Sequence, residues 1–334
     1  MSAATQPTTF SDLYTSLSNK VRIETGVTAT QDLAKGAINT ALHDMHIGTK
    51  EKFPWAERSA TLRTKAKYTT GTVAITKGST AVTGTSTEWD TANDFSENNV
   101  IAGGKMVIEG SVDVYEVSSV ASDTSLTLVQ NFVGTTVTEA TYVYFEDEYA
   151  LHDDFLRPLS FRYFDQNRQI SLLQRREFQE QFVRNKTTGK VRHAAIIDKA
   201  FSGSASPVRK VIFHQPPDTA YLIPYSFITD KLAVSTGGTE QVQMTADTDE
   251  PIVPLYARHG IVLHALYNWY RDRKNDDRSI AAKAEYESFM ARLTADIEFG
   301  ANRPQMRPRS YLPRKRRGGG RYSLGSRFDE IRDR

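Results

Sequence analysis

Residues 254–299 read PLYARHGIVLHALYNWYRDRKNDDRSIAAKAEYESFMARLTADIEF, and the fold class turns on how this stretch is parsed. Pro254 suits the first turn of a helix. After it, Ile261, Val262, Ala265, Leu266 and Trp269 recur at helical spacing and make one apolar stripe, while Leu263, Tyr267 and Tyr270 make a second. A helix apolar on two sides is covered on two sides. This reading therefore assigns Ile261, Val262, Leu263, Leu266, Tyr267, Trp269 and Tyr270 to packing against both the chain's own body and a neighbouring copy. Asn275, Asp276, Asp277 and Ser279 then supply turn and N-cap chemistry before Ile280. Tyr286, Met290, Leu293 and Ile297 form the next stripe, and Gly300 is the expected stop.

No comparable helical signal occurs between about Thr49 and Glu250, so this hairpin must find its partners near the start of the chain. Phe10, Leu13, Tyr14, Leu17 and Val21 keep one helical face there, with Thr9 or Ser11 as cap and Gly26 as stop. A second helix starts at Thr28 or Thr30, carries Ala34, Ile38, Ala41, Leu42 and Met45, and closes at Gly48. Short helices with one apolar face each are not stable alone in water. Four of them, drawn from the two chain ends, can bury those faces together.

From about Ala66 the hydrophobic period changes to two. Thr72–Thr76, Lys105–Ile108, Val112–Val117, Ser125–Val129 and Thr141–Phe145 are rich in β-branched residues and separated by glycines, which predicts an inserted all-β module, sandwich or barrel, over 66–150. Residues 151–250 read as a second, mixed β region. Strands are expected at Phe161–Phe164, Val191–Ile197, Val208–Phe213 and Tyr221–Ile228, with a short helix over Leu172–Val183. The expected architecture is α+β: a helical bundle from 1–65 and 251–300, two β regions between them, and an extended C-terminal arm over 301–334.

The 334 residues suffice for two or three domains with real cores. There is no cysteine, which excludes disulfides and thiolate metal sites and favours a reducing compartment or a particle assembled in one. Neither a bilayer-crossing run nor a signal peptide is legible, so no membrane partner is expected. The net charge of +2 is unevenly spread. After Gly300 there are 11 Lys and Arg against 3 Asp and Glu, which leaves 31 against 37 in residues 1–300. A mildly acidic body therefore trails a basic arm.

In that arm Arg303, Arg307 and Arg309 alternate with prolines, Arg314, Lys315, Arg316 and Arg317 form a basic run, and Gly318 to Gly320 make a hinge. The run alone is compatible with a nucleic-acid arm, a targeting signal or a solvated spacer. Tyr311, Tyr322 and Phe328 suit stacking on bases and equally suit a protein groove. Leu312, Leu324 and Ile331 have no use on a phosphate backbone and favour the groove.

Catalytic signals are weak. His43, Asp44 and His46 have no third ligand that converges on them, which favours a solvated helix edge over a metal. Glu146, Asp147, Glu148, His152, Asp153 and Asp154 sit where a strand leaves the first β module and lack calcium-loop spacing; a domain boundary explains them. There is no Walker loop and no GxSxG elbow. A hydrolase using Asp153 or His152 would lack a nucleophile, base and orienter set, so no enzyme, cofactor or metal is expected.

The order of parts resembles the head-to-tail adaptor (connector) proteins of tailed bacteriophages, including the tail tubular type of short-tailed phages. The passages that carry the resemblance are FSDLYTSLSNKV with DLAKGAINTALHDM, in which Ile38, Asn39, Ala41 and Leu42 match best, then YALHDDFLRPLSF, and IVPLYARHGIVLHALYNWYRDR leading into AEYESFMARL. His152 stands where that family usually has proline. GTVAITKGSTAVTGTSTEW with YEVSSVASDTSLTL is similar to β modules common in phage structural proteins. The resemblance covers roughly a third of the chain. It implies a virion protein of the neck, made in the host cytoplasm, which forms twelve-membered rings between the portal protein and tail or neck proteins. Double-stranded DNA would pass through the hole, and the C-terminal arm would dock in the portal. Alternatives are a DNA-binding phage protein that uses its basic tail, or another ring protein of the tail or neck. An acidic body suits a conduit, because a basic bore would hold the phosphates.

Overall fold

The computed structural model describes residues 6–22, 27–47, 53–93, 96–109, 111–163, 168–182, 187–199 and 208–301. It is mixed α+β and divides into two units, one made of Met1–Glu51, Ser235–Gly237 and Met244–Arg334, the other of Lys52–Val234 and Gly238–Gln243.

The first unit joins the two chain ends. Its helices are α1 (Phe10–Val21), α2 (Thr28–Ile47), α4 (His259–Asp272) and α5 (Asp276–Ala301); α3 (Arg175–Gln181) belongs to the other unit. Thr9 caps α1 in a reciprocal box: its Oγ1 accepts from the Asp12 N–H at 3.3 Å while Asp12 Oδ2 accepts from the Thr9 N–H at 3.1 Å. Bonds from the backbone amides of Thr9 and Thr8 hold the Asp12 carboxyl below its usual range. Phe10, Leu13, Tyr14 and Leu17 are buried, as are Ala34, Ile38, Ala41, Leu42 and Met45 of α2, so both predicted stripes face inward. The stop of α1 is Arg22, held in the left-handed region at φ 56°, four residues before the expected Gly26. Gly26 and Gly48 lie outside the described residues. α4 packs on α1, α2 and α5. It begins later than expected, because Pro254 precedes a single 3₁₀ turn over Leu255–Ala257. Asn275 opens α5, and that helix runs past the expected stop at Gly300 to Ala301.

Apart from α3 and a 3₁₀ turn over Pro54–Ala56, the regular structure of the second unit's described residues is β. β1 (Glu57–Arg63) leads to a module of β2 (Thr72–Ile75), β3 (Ala81–Thr85), β4 (Lys105–Ile108), β5 (Tyr115–Ser122), β6 (Ser125–Leu128), β7 (Val137–Ala140) and β8 (Tyr142–Phe145). These seven strands form one antiparallel sheet in the order β7-β2-β3-β6-β5-β4-β8, curled into a half-barrel. The curl follows from connectivity. β7 and β8 lie on opposite edges yet are separated by Thr141 alone, and adjacent Cα atoms are about 3.8 Å apart, so the edges must approach each other. Alternation supplies the core: Val73, Ile75, Val82, Leu126 and Leu128 point inward with Trp89, Phe132, Tyr142 and Tyr144. Trp89 Nε1 donates to the Tyr142 hydroxyl at 2.9 Å, and that hydroxyl donates to the Thr70 carbonyl at 2.7 Å, which satisfies both buried polar tips. Sequence reading missed β3 and β7, and began β5 too early; Val112 is 95% exposed.

Seven further strands make two facing sheets, and three two-residue strands at Ala233–Val234, Glu240–Gln241 and Glu250–Pro251 make a small separate one. β9 (Glu148–Ala150), β11 (Ser171–Leu173), β12 (His193–Lys199) and β13 (Val208–His214) form one, in the order β11-β12-β13-β9; β1, β14 (Leu222–Thr229) and β10 (Phe155–Phe161) form the other, with β14 central. They share a core of Leu62, Phe155, Phe161, Val211, Phe213, Ile223, Tyr225 and Phe227. The intervening residues Ala195 and Ile212 face the other way and hold α3 through Phe178. Three expectations are corrected here. β1, read with the helices of 1–65, is a strand paired with β14 from Glu57↔Ile228 to Arg63↔Leu222. The strand expected at 161–164 ends at Phe161 and starts at Phe155. Pro158 within it is tolerated because β10 is an edge strand. The helix expected over 172–183 shrinks to Arg175–Gln181, since Ser171–Leu173 pairs in parallel with β12.

Candidate functional site

In the helical unit, polar groups tie the chain ends together. Arg258 is buried, and its guanidinium donates to Glu250 Oε2 at 2.9 Å, to the carbonyls of Val253 at 2.9 Å and Pro251 at 3.3 Å, and to the carbonyl of Thr8. Asn39 uses its whole amide on Met244, Nδ2 donating to the carbonyl at 2.9 Å and Oδ1 accepting from the N–H at 3.3 Å. Lys35 meets Asp247 at 2.7 Å. The bonds of the buried Arg258 and of Asn39 to the buried Met244 are costly to leave unmade, so they fix which segments meet.

Of the expected interface residues, Ile261, Val262, Leu263, Leu266 and Trp269 are buried within this one chain. Tyr267 and Tyr270 are half-buried and carry arginines, Arg271 at 5.4 Å from the Tyr267 ring centre and Arg278 at 5.7 Å from that of Tyr270. Arg273 lies 3.5 Å from the centre of the Trp269 ring. The aliphatic part of α4 is thus satisfied by its own helices. Apolar residues that stay in water lie elsewhere: Leu33 on α2 is 56% exposed and Ile280 on α5 is 68% exposed. Each stands outside the stripe that periodicity picked, which is why reading by stripes missed them. The outer face of α5 continues from Ile280 as a row of exposed small residues: Ala281, Ala284, Ser288, Ala291 and Ala295.

The second chemical centre is the neck of the curled module. Lys65 lies on the segment that enters the module after β1 and Glu146 on the one that leaves it after β8, with Nζ 3.2 Å from Glu146 Oε1, 3.4 Å from Glu97 and 3.1 Å from the Asn98 carbonyl. Tyr144 donates its hydroxyl to Glu146 at 2.9 Å, an approach that Gly104 permits, since a Cβ there would stand 2.1 Å from that oxygen. Burial pushes the Glu146 carboxyl up, and the Lys65 charge pulls it back. Lys105 is fully buried between Glu116 at 2.7 Å and Glu148 at 3.9 Å. A cleft of about 650 Å³ opens here, lined among others by Arg63, Lys65, Lys210, Glu97, Glu146 and Tyr149; no histidine lines it. The ion pairs of Lys65 with Glu146 and Glu97 act as a clip between the two segments of the neck.

The other predicted residues do not converge. His152 and Asp153 are exposed, and His152 faces Asp154 at 3.5 Å. His43 is 3.9 Å from Asp44, whereas His46 is buried; among the described residues no three metal-ligating side chains come together. No described helix is long and apolar enough to cross a membrane. The arm residues Arg303, Arg307, Arg309, Tyr311, Leu312, Arg314, Lys315, Arg316, Arg317, Tyr322, Leu324, Phe328 and Ile331 all lie outside the described residues. Comparison with protein-family models and with curated proteins finds no match to this chain.

Proposed function

We propose that this chain is a virion structural protein, a subunit of a head-to-tail adaptor ring that joins portal to tail and surrounds the passing DNA. The observation that carries the proposal is the joining of the termini. α1 and α2 from one end pack with α4 from the other, α4 carries α5, Arg258 and Asn39 fasten these segments, and the strands β1 to β14 lie between them in sequence. That is the order of parts which the resemblance requires. Leu33 and Ile280, exposed on two different helices, supply unlike surfaces, as a head-to-tail contact between copies needs. The acidic balance of residues 1–300 supports a bore that lets phosphates slide. Residues 301–334 clamp the portal, with Tyr311, Tyr322, Leu324, Phe328 and Ile331 as anchors.

Truncation after Ala301 tests the clamp. Portal capture by the purified protein is expected to disappear while the thermal transition stays in place; capture that survives the truncation overturns the assignment. The 11 cations after Gly300 favour one rival, a DNA-binding arm. A salt titration separates the two, since DNA affinity through ~6–10 phosphate contacts falls about 10³–10⁵-fold between 50 and 200 mM salt, whereas an apolar-anchored contact changes little.

A further inference from the structure

Two histidines of α4 are set into the seam with α5. His259 meets Phe289 edge-on, ring centres 5.9 Å apart, and His264 lies over Tyr286 at 4.6 Å with 29° between the planes. His264 Nδ1 is 3.4 Å from the Ala41 carbonyl of α2. The seam closes tightly because residue 260 is glycine: a Cβ there would stand 2.7 Å from the Phe289 ring. An imidazolium at either place would lose hydration that the surrounding rings do not replace.

We propose that the α4–α5 seam is an acid-sensitive clasp, in which protonation of His259 and His264 loosens α5 from α4 while the β unit stays folded. The charged groups facing His259 are Lys20 of α1, which opposes a second positive charge, and Glu285 of α5, which favours it. Those facing His264 are Asp44 of α2, which favours charge, and Arg271 of α4, which opposes it. Tyr267 lies 6.0 Å from the His264 ring, and the face of Tyr286 offers a cation a contact that offsets part of the lost hydration. Burial is the largest influence at both rings, and it holds both below the ordinary imidazole value of 6.5. The sign follows from linkage. Above 6.5 neither the closed nor the open form binds these protons, so the seam keeps its full stability. As the pH falls below 6.5, the open form takes up protons that the closed one refuses, until the lowered values are reached. Within that window each histidine favours opening by up to about tenfold per pH unit. Among the described side chains of α5, Ala282, Met290 and Leu293 are buried and also hold the helix. The basic arm follows α5 directly, so the clasp governs the stem from which the arm springs.

Hydrogen exchange of the full-length protein between pH 7.5 and 4.5, corrected for intrinsic rates, tests this. Amides of residues 280–295 are expected to lose protection by at least tenfold in acid, while those of 222–229 in the β unit keep theirs. In His259→Asn/His264→Asn, neutral throughout, the acid response of α5 is expected to vanish. His264→Phe, which keeps a ring against Tyr286, is expected to remove about one proton's share of it. Protection of α5 that does not change with pH, an equal loss in both units, or an unaltered acid response in His264→Phe overturns the proposal.

Discussion

Arg258 stands where four oxygens converge: the carbonyls of Thr8, Pro251 and Val253 and the carboxylate of Glu250. No periodicity in the sequence announces it, because the pattern that finds helices counts apolar residues, and a buried guanidinium is chosen by acceptors from residues 8 and 250 at once. Arg258→Met keeps the aliphatic stem but abandons those carbonyls. It is expected to cost about 2–4 kcal/mol, read as a lowered thermal midpoint, with faster amide exchange in residues 6–11. Arg176→Met is the control. That side chain is 90% exposed and pairs only with Glu180 one turn away, so its removal is expected to cost about 0.3–0.5 kcal/mol. Equal losses from the two substitutions would refute the role given to Arg258.

Among the elements, those with a periodic apolar pattern of their own were readable: α1, α2, α4 and α5, and the strands β2, β4, β6, β8, β12, β13 and β14. Elements defined by a distant partner were not. β1 reads as Glu-Arg-Ser-Ala-Thr-Leu-Arg, with little apolar content of its own, and becomes a strand by pairing with β14, more than 150 residues later. β7 is similar, since its sequence Val-Thr-Glu-Ala is fixed by its place beside β2. The candidate interface was half legible for a related reason. A stripe shows that a face is buried without saying by what, and the chain's own helices turn out to cover Ile261 to Leu266. The insertion itself makes a sharper prediction. Tyr68 and Tyr144 exchange both backbone hydrogen bonds at 2.8 Å, the geometry that a two-residue turn closes. Replacing residues 69–143 with Asn-Gly is expected to leave the two facing sheets folded, with a cooperative melt and the near-ultraviolet signal of their aromatic core retained. Collapse or aggregation of that shortened chain would show that the facing sheets require the curled module.

For the molecule as a whole, the proposed function is a division of labour. In that proposal the helical unit builds the assembly, the β structure is an insertion in its sequence, and the arm after Ala301 grips another protein. Composition made the acidic body and basic extremity plain, but a sequence carries no direct signal for copy number. Electron microscopy of the purified full-length protein is the most direct test. Closed rings with a central hole are expected, abolished when Leu33 and Ile280 are both changed to Glu and retained when residues 302–334 are removed. A protein that stays monomeric at high concentration, both alone and with portal present, would contradict the account.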